Sequence, residues 1–520
     1  MNVEDPIAEL ERADELHVAN GEPDILPPPW NPMAAARVLL ADRLHKSGSS
    51  LLRNWRGSWM QWAEGVWVEV EDATVRADVY QHTEHAVYVH VTHGREELRA
   101  WAPDRRKCSD LLEAMAMIVH MSREVQPPTW IDDAAGPDNI VVCKNGMLDV
   151  AKRVLLPHDP RYFTQVAVPF DFNHRAPLPA RWCRFLEQLW PDDPDAIRAL
   201  QEFMGYVLSG RTDLDKILLL IGPTRAGKGV IARVLGLLIG SGNVAGPTVA
   251  SLSQNFGLQD LIGKPLAVIS DARLGHADTH QVVERLLAIS GRDTLTVDRK
   301  YRDPWTGQLP TRIVIISNEL PRFGDASGAI ANRFVVLALT ESWLGREDHE
   351  LEPALAAELP GILNWALDGL DRLAEHGRFT DPTSSVDAIT ALADLVSPVA
   401  AFVRDRCVRS ARFEVPCDQL YTDWRRWAED NGHRPGSIQT FGRDLRAVIP
   451  GLRITRPRED EDDRRRRYVG IAVRAGQRCA DPRTSADQTA NHDPGPRWSA
   501  VDALVGLTTG NSDDHEVIDR

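Results

Sequence analysis

A strand, a glycine-rich loop and a helix follow one another in residues 216–239, and this succession constrains the fold more than any other feature. Residues 216–221 are an apolar run typical of a buried strand, and residues 230–239 have a helical pattern. Backbone N–H groups of such a loop converge on a phosphate at the helix N-terminus, and a lysine adds a mobile cation. The alternative is an ordinary glycine turn with an exposed lysine. The loop, spaced G-x-x-x-x-G-K, consists of Gly222, Pro223, Thr224, Arg225, Ala226, Gly227, Lys228 and Gly229.

The loop departs from the usual pattern at one position. A serine or threonine normally follows the lysine, and its hydroxyl binds magnesium, whereas this chain has Gly229 followed by Val230. Some nucleoside-phosphate kinases have a similar G-K-G loop, so the change is compatible with nucleotide binding. A metal ion would then depend more on water and on a carboxylate further along the chain.

Two later apolar strands end in polar residues. Residues 266–270 lead to Asp271, where a carboxylate could bind magnesium or orient water. Residues 312–317 lead to Asn318, whose amide could hold the attacking water or the γ-phosphate. The alternatives are a helix cap for Asp271 and a turn residue for Asn318. With helical stretches between the strands, this middle third is predicted to be an α/β domain.

The composition suits several folded domains. The chain has 520 residues, of which 43% are hydrophobic and 26% charged, and this excludes a wholly disordered or collagenous protein. Four tryptophans lie close together between residues 36 and 165: Trp55, Trp59, Trp62 and Trp67. We expect their side chains to pack in the core of a domain rather than to form a surface on which bases stack. We expect a multidomain α/β protein with an acidic flexible tail (1–35), a Trp-rich α+β domain (36–165), a P-loop domain (175–380), a winged helix-turn-helix domain (390–475) and a disordered tail (476–520).

The predicted winged-helix region differs from the rest in charge. The whole chain has a formal net charge of −15, but residues 401–475 contain 17 arginines and no lysine against 12 acidic residues. Two helical patterns, residues 420–428 and 437–447, precede two extended pieces, residues 452–455 and 468–473. We expect phosphate contacts from Arg425, Arg426, Arg443, Arg446, Arg453, Arg456 and residues 464–467. The alternative is that the acidic residues 459–463 neutralise the last group.

The motifs occur in a fixed order along the chain. They are residues 222–229, 266–271, 290–293, 317–321 and 331–334, flanked by residues 143–149, 158–161 and 358–362. This series resembles the superfamily 3 helicases, specifically the C-terminal half of phage and plasmid primase-helicase proteins. The resemblance covers roughly residues 36–475, and its specificity comes from the order of the motifs.

The resemblance implies an AAA+-like motor that forms a hexameric ring, hydrolyses ATP with Mg²⁺ at subunit boundaries and moves along single-stranded DNA. Lys228, Asp271 and Asn318 match the nucleotide-sensing positions, and Asp271 is the expected metal ligand. Many members have glutamate where this chain has the shorter Asp271. Arg333 matches the arginine finger offered to the neighbouring subunit's γ-phosphate. Without the resemblance, Arg333 would be interpreted as a surface arginine before an apolar strand.

A basic and aromatic segment, residues 298–307, lies between the second and third strands. In superfamily 3 motors a hairpin from this region projects into the central channel and contacts DNA. The resemblance therefore assigns phosphate contacts to Arg299, Lys300 and Arg302, while Tyr301 or Trp305 could stack on a base. A solvated basic loop is the alternative.

Three functions remain in competition. The leading hypothesis is an ATP-dependent helicase of a phage, prophage or plasmid replication system, which acts on single-stranded DNA and origin duplex, with a separate primase as a further partner. The second is a nucleotide-binding initiator or regulator that does not unwind DNA, and the third is a small-molecule kinase. The acidic first thirty residues are unlike a signal peptide, and no apolar run reaches membrane-spanning length, so we expect a cytoplasmic protein without a membrane partner.

Overall fold

The structure of this chain is a computed structural model, and it describes residues 24–270, 279–300, 302–321, 330–456 and 465–474. Most of the two predicted tails, residues 1–23 and 476–520, lies outside the described residues. Residues 24–35, which we assigned to the first tail, are packed. Leu26 is buried, and its N–H donates to the carbonyl of Val87 at 2.9 Å. Packed structure therefore begins before residue 36.

The first part of the described chain is a small mixed sheet covered by helices. Its elements are α1 (Pro32–Ala41), β1 (Leu52–Trp55), β2 (Ser58–Ala63), β3 (Val66–Val70), α2 (Asp72–Thr83), β4 (Val87–Thr92), β5 (Arg95–Ala100), α3 (Arg105–Ile118) and β6 (His120–Met121). The sheet order is β3-β2-β1-β6, with β6 parallel to β1, and β4 pairs with β5 as a separate hairpin. Trp55, Trp59 and Trp67 are buried, whereas Trp62 is half-buried and packs against the core. The predicted core position is confirmed for the first three and only in part for Trp62.

Five short strands connect this layer to the centre of the molecule. They are β7 (Thr129–Trp130), β8 (Ile140–Cys143), β9 (Gly146–Asp149), β10 (Val154–Leu156) and β11 (Tyr162–Phe163). Strands β8, β9 and β10 form an antiparallel sheet, and β7 pairs with β11. The buried indole N–H of Trp67 donates to the carbonyl of Pro160 at 2.9 Å and ties these strands to the N-terminal sheet.

The middle of the chain is an α/β layer built on a five-stranded parallel sheet. Its elements are α4 (Ala180–Leu189), α5 (Pro194–Leu208), β12 (Ile217–Ile221), α6 (Lys228–Ile239), β13 (Val244–Ala245), α7 (Val249–Leu252), β14 (Leu266–Ser270), α8 (Thr279–Ser290), β15 (Leu295–Arg299), β16 (Arg302–Gly307), β17 (Arg312–Ser317), β18 (Phe334–Ala338), α9 (Leu351–Ala357) and α10 (Leu359–His376). The sheet order is β13-β14-β17-β12-β18, and β15 and β16 form an antiparallel hairpin outside it.

The central sheet is buried on both faces. Alternate residues of β12 point to opposite sides, so Leu218 and Leu220 join one core cluster and Ile217 and Leu219 join the other. Helices α5, α6 and α10 contribute to the first cluster, and α8 contributes to the second. Burial on both faces explains why these strands are continuous apolar runs.

The last described part has three helices, a three-stranded sheet and one helix that leads into them. The elements are α11 (Val386–Val396), α12 (Pro398–Arg406), β19 (Cys407–Pro416), α13 (Cys417–Asp430), α14 (Ile438–Val448), β20 (Arg453–Thr455) and β21 (Arg467–Val473). The sheet order is β19-β21-β20. Rings of Phe402, Trp424, Trp427 and Phe441 pack together between the helices. Both predicted helices and both predicted extended pieces are present, whereas β19 was not predicted.

Short 3-10 helices complete the described residues at Ser241–Asn243, Gln259–Leu261, Ala331–Arg333 and Thr383–Ser385. The described architecture is thus mixed α/β, with 14 α-helices. Among the described residues, no single helix has the length and apolar character to cross a membrane. One bent pair, Thr383–Val396 with Pro398–Arg406, meets that test jointly by length and composition.

Candidate nucleotide-binding site

The glycine-rich loop leaves the carboxyl end of β12 in a conformation that requires its two flanking glycines. Gly222 has a φ of 149°, and a Cβ there would lie 2.3 Å from the carbonyl oxygen of Leu339. Gly227 is left-handed, with a φ of 94°, and is the N-cap of α6. The described backbone hydrogen bonds include none donated by the N–H groups of residues 224–227. These donors are therefore available to an anion at the start of the helix.

Lys228 is the first residue of α6, and its side chain turns back into the loop. It is only 6% exposed, and its Nζ donates to the carbonyls of Gly222 and Pro223, both at 2.6 Å, and to Oδ1 of Asn318 at 3.1 Å. Desolvation by burial lowers the pKa of the Lys228 ammonium. All three of these acceptors are uncharged, so the ammonium is held in place without being neutralised by them.

Asn318 reaches the loop because the strands are parallel and in register. Ile221 of β12 pairs with Ser317 of β17, so the residues that follow these two strands leave the sheet side by side. On its other side β17 pairs with β14, and Ser270 lies opposite Ile316. Asp271, the predicted acid and metal ligand, follows β14 directly but lies outside the described residues. The structure thus brings together Lys228 and Asn318, two of the predicted catalytic residues.

A buried arginine fixes the other end of β17. Arg312 donates through Nη2 to the carbonyl of Val207 at 2.8 Å and through Nη1 to that of Gly210 at 3.2 Å. These carbonyls lie at the C-terminal end of α5, where the helix dipole favours a cation. Burial lowers the pKa of Arg312 to about 10. The strand that carries Asn318 is therefore anchored to a core helix.

The loop forms the floor of a cavity of about 950 Å³. Phe185 of α4 forms part of its wall, and the chain after β18 forms another part. This second wall is attached to the loop, because the N–H of Trp343 donates to the carbonyl of Arg225 at 3.0 Å, and Ser342 Oγ donates to the carbonyl of Thr224 at 2.8 Å. The sequence analysis missed the wall, since its residues follow no known motif.

The cavity has the volume of a small-molecule site, and its charged lining is mixed. Basic side chains come from Arg225, Lys228, Arg233 and Arg346, and acidic ones from Glu347, Asp348 and Glu352. Gly229 has no hydroxyl, and a Cβ there would lie 2.9 Å from Nη1 of Arg233. The described residues also contain no group of three or more His, Cys, Asp or Glu side chains that could hold a metal. The glycine-rich loop therefore lacks the hydroxyl ligand that it supplies in a conventional magnesium site.

Arg333 lies at the opposite end of the sheet. Phe334 pairs with Ile217 at the start of β12, whereas Ala338 pairs with Ile221 beside the loop. A strand of this length spans roughly 16 Å at about 3.3 Å per residue. Nη1 of Arg333 lies 2.7 Å from Oδ2 of Asp215, and Nε of Arg292 lies 3.3 Å from Oδ1 of the same carboxylate. Within one chain Arg333 is not brought to Lys228.

The predicted DNA-binding residues lie at the turn of the β15–β16 hairpin, except for Tyr301, which is outside the described residues. Nε of Arg299 donates to the carbonyl of Asp303 at 2.8 Å, and the backbone N–H of Lys300 donates to Oε1 of Gln259 at 3.1 Å. Nη1 of Arg302 donates to Oε1 of Glu69 on β3 at 2.5 Å. The hairpin therefore leans on the N-terminal sheet.

A second contact joins the hairpin to that sheet. The guanidinium of Arg56 lies 4.7 Å from the ring centroid of Trp55 and 5.2 Å from that of Trp305, and its Nη1 donates to the carbonyl of Thr306 at 3.1 Å. Trp305 is only 7% exposed. Its ring is packed inside the molecule, so the idea that it stacks on a base is wrong for this arrangement.

The basic C-terminal residues are partly paired. Arg425 pairs with Glu429, Arg443 with Asp444, and Arg465 with Asp418. Exposed guanidinium groups on α14 come from Arg443 and Arg446, and those of Arg453 and Arg456 lie in and after β20. Arg464 and the acidic residues 459–463 lie outside the described residues, so their predicted mutual neutralisation stays a prediction.

Family models match three consecutive segments of the chain. One described as D5 N terminal like matches residues 40–191, a family of unknown function (DUF5906) matches residues 220–333, and one described as poxvirus D5 protein-like matches residues 397–466. The two D5-related matches flank the glycine-rich loop and its sheet. They support the resemblance to phage primase-helicase proteins.

Solved structures of the NrS-1 C-terminal region are similar to this chain. An apo structure has 11% sequence identity, covers 85% of this chain and 99% of its own, and superposes with a TM-score of 0.47. A second, the A form apo structure, has 11% identity, covers 85% and 100%, and has a TM-score of 0.46.

Proposed function

We propose that this chain is the ATP-dependent helicase motor of a phage, prophage or plasmid replication system. In this proposal it hydrolyses ATP at the interfaces of a homo-oligomeric, hexameric ring and moves along single-stranded DNA. One observation carries the proposal: Lys228 and Asn318 meet beside a loop whose N–H groups at residues 224–227 are available to an anion. Such a meeting at the carboxyl edge of a parallel sheet suits a triphosphate.

The contacts of Lys228 support phosphate binding. Its ammonium donates to two carbonyls and an amide oxygen, and a β- or γ-phosphate would replace these neutral acceptors with charged ones. Asn318, next to it, would hold the attacking water or the γ-phosphate. Mg²⁺, when bound with ATP, would screen the phosphate charge; Asp271 would hold it together with water and phosphate oxygens.

The position of Arg333 supports hydrolysis between subunits. Because Arg333 lies at the amino end of β18, it is remote from the loop of its own chain and could serve only a neighbour. An arginine supplied by a second subunit stabilises charge in the transition state and contributes on the order of 10³-fold or more in rate. The site in one chain is therefore incomplete, and a ring would complete it.

The remaining elements support contacts with DNA. Arg299, Lys300, Tyr301 and Arg302 would contact single-stranded DNA from the hairpin, and binding through phosphate contacts would weaken with salt. Helices α13 and α14 with the β19-β21-β20 sheet form a candidate winged helix-turn-helix, and Arg443 and Arg446 on α14 are exposed toward solvent. This module would bind origin duplex, and a separate primase would supply primers.

The test is DNA-stimulated ATP turnover and strand displacement by the full chain. Lys228→Ala should abolish both, because the variant has no cation at the triphosphate. Lys152→Ala is the control, since Lys152 is an exposed lysine paired with Asp149 and remote from the cavity. Undiminished turnover in Lys228→Ala would refute the proposed function.

One observation favours a second function, that of a nucleotide-binding replication initiator or regulator without unwinding activity. Gly229 lacks the metal-binding hydroxyl, and Arg233 covers its position. A chain that binds ATP and forms rings but neither hydrolyses ATP nor separates strands would establish this alternative. Activity on a mononucleotide acceptor without DNA would instead favour a small-molecule kinase.

A further inference from the structure

An arginine side chain lies against the place where a side chain at position 229 would begin. A Cβ at position 229 would lie 2.9 Å from Nη1 of Arg233 and 3.7 Å from both Cζ and Nη2. Gly229 and Arg233 both line the candidate nucleotide cavity. The glycine at position 229 and the guanidinium of Arg233 therefore belong together, because a side chain at 229 would contact that guanidinium.

Helix geometry accounts for the contact. Arg233 lies one turn after Gly229 in α6, and helical side chains lean toward the N-terminus, so its guanidinium extends back over the first turn. Only glycine leaves this space open without displacing the guanidinium. Because the guanidinium is the mobile end of a long side chain, a small residue at 229 would push it aside rather than collide with backbone.

The electrostatics of this position are unfavourable without an anion. A cation near a helix N-terminus opposes the helix dipole, and Lys228 places a second cation in the same turn. Arg233 forms an ion pair with Glu352 of α9, while Arg225 lies 3.7 Å from Glu347. The side chain of Arg233 remains 56% exposed, and Arg233 lines the cavity. An exposed ion pair of this kind is weak, so a phosphate could compete with Glu352 for the guanidinium.

We propose that Arg233 is a nucleotide-binding residue that replaces the hydroxyl-bound metal ion on the loop side of the triphosphate. Its planar guanidinium donates to oxygens of the β- and γ-phosphates, a geometry for which arginine is better suited than lysine. Glu352 holds the side chain over Gly229 before nucleotide enters. The affinity of this site for nucleotide is consequently almost independent of Mg²⁺, whatever hydrolysis requires. This inference rests on the proposed function, because it assumes a triphosphate in the cavity.

The experiment measures ATP and ADP affinity of the full chain by calorimetry, once with Mg²⁺ and once with EDTA. The affinity of the unsubstituted protein for each nucleotide should differ by less than about threefold between Mg²⁺ and EDTA. Arg233→Ala should weaken binding by about tenfold or more in both, since hydrogen bonds to charged groups contribute about 1.5–3 kcal/mol. Arg233→Lys should recover only part of the loss. Arg198→Ala is the matched control, because Arg198 is 55% exposed and pairs with Asp195 on another helix.

A double substitution separates the metal from the guanidinium. Gly229→Ser combined with Arg233→Ala restores the usual hydroxyl, and it should recover affinity with Mg²⁺ but not with EDTA. Glu352→Gln, which releases Arg233, should tighten binding by a few-fold at low salt. A purely structural Arg233 would produce neither result.

Two outcomes distinguish the failure of this inference from that of the proposed function. If the unsubstituted protein needs Mg²⁺ for binding and Arg233→Ala binds as tightly as the control, the inference is overturned while nucleotide binding stands. If the unsubstituted protein binds no nucleotide, or Lys228→Ala binds it equally well, the proposed function fails and the inference fails with it.

Discussion

The two ends of the central sheet carry different kinds of polar chemistry. At the carboxyl end, Lys228 is buried and satisfied by neutral acceptors from its own loop and from Asn318. At the amino end, the partly exposed Asp215 holds the guanidinium groups of Arg292 and Arg333. Parallel strands bring Lys228 and Asn318 together within one chain, whereas the second end presents charge at the surface. Under the proposed function, the first end would bind nucleotide and the second would act on a neighbouring subunit.

The largest effect that would test this contrast is expected from Arg333→Ala. ATP turnover should fall by about 10³-fold, while nucleotide affinity stays unchanged, because the arginine acts on the next subunit. The measurement is steady-state ATPase activity with calorimetric binding. Mixing this variant with Lys228→Ala should restore activity, since some interfaces would combine an intact loop with an intact arginine. If mixing restores nothing, the two ends of the sheet do not serve different subunits.

Asn318→Ala should have the next largest effect. Turnover should fall by about 10²-fold, the size expected when one positioned polar group is removed from a transition state. Binding should weaken much less, because Lys228 and the loop N–H groups remain available to the phosphates. Asn364→Ala is the control for the loss of an asparagine amide, because Asn364 is a half-buried residue of α10 that does not line the cavity and whose amide donates to the carbonyl of Asn173 at 2.9 Å. Equal losses in turnover and affinity would mean that Asn318 only supports the ground state.

Asp215→Asn should change turnover by only about fivefold, because a partly exposed ion pair contributes at most about 1 kcal/mol. The loss should appear at saturating ATP and shrink as salt rises, since salt screens the same ion pairs in the unsubstituted protein. Asp213→Asn is a matched control, as Asp213 pairs with Arg211 nearby. A turnover loss as large as that of Arg333→Ala would make Asp215 part of the reaction itself.

The smallest predicted effect is a pH dependence of the free energy of unfolding, which comes from Lys228 at the carboxyl end of the sheet. Burial lowers the pKa of Lys228 below its ordinary value of 10.5, so between the two pKa values the unfolded chain binds more protons than the folded one. The free energy of unfolding should therefore rise with pH across that window. Thermal midpoints of the unsubstituted protein and Lys228→Met, compared from pH 8 to 10.5, should converge as pH rises if the ammonium destabilises the folded state.

Local sequence patterns predicted the strands and the helix that surround the candidate nucleotide site. The strand before Gly222, the helix after it and the strand leading to Asn318 are all present, because runs buried on both faces are continuous in the sequence. The helix begins at Lys228, two residues earlier than predicted. Strand β19 was missed since its alternate residues are largely exposed and its arginines conceal the apolar pattern.

Contacts between distant residues were beyond the reach of such patterns. The wall that includes Trp343 depends on backbone hydrogen bonds to the loop across more than a hundred residues. The position of Trp305 depends on Arg56, which lies in a different layer. Arg233 is the exception, because its spacing of four residues from Gly229 placed both on one helical face. That spacing, together with the missing hydroxyl, was a signal that the sequence contained.

The contacts of Arg56 with the hairpin restrict how the hairpin can move. Its guanidinium lies between Trp55 and Trp305, and the neighbouring bond from Arg302 to Glu69 joins the same two layers. If the hairpin moves along a strand of DNA, the N-terminal layer must move with it, or the contacts of Arg56 with Trp305 and of Arg302 with Glu69 must break in each cycle. Under the proposed function, the stiffness of this joint would set how much of a movement driven by ATP hydrolysis reaches the N-terminal layer.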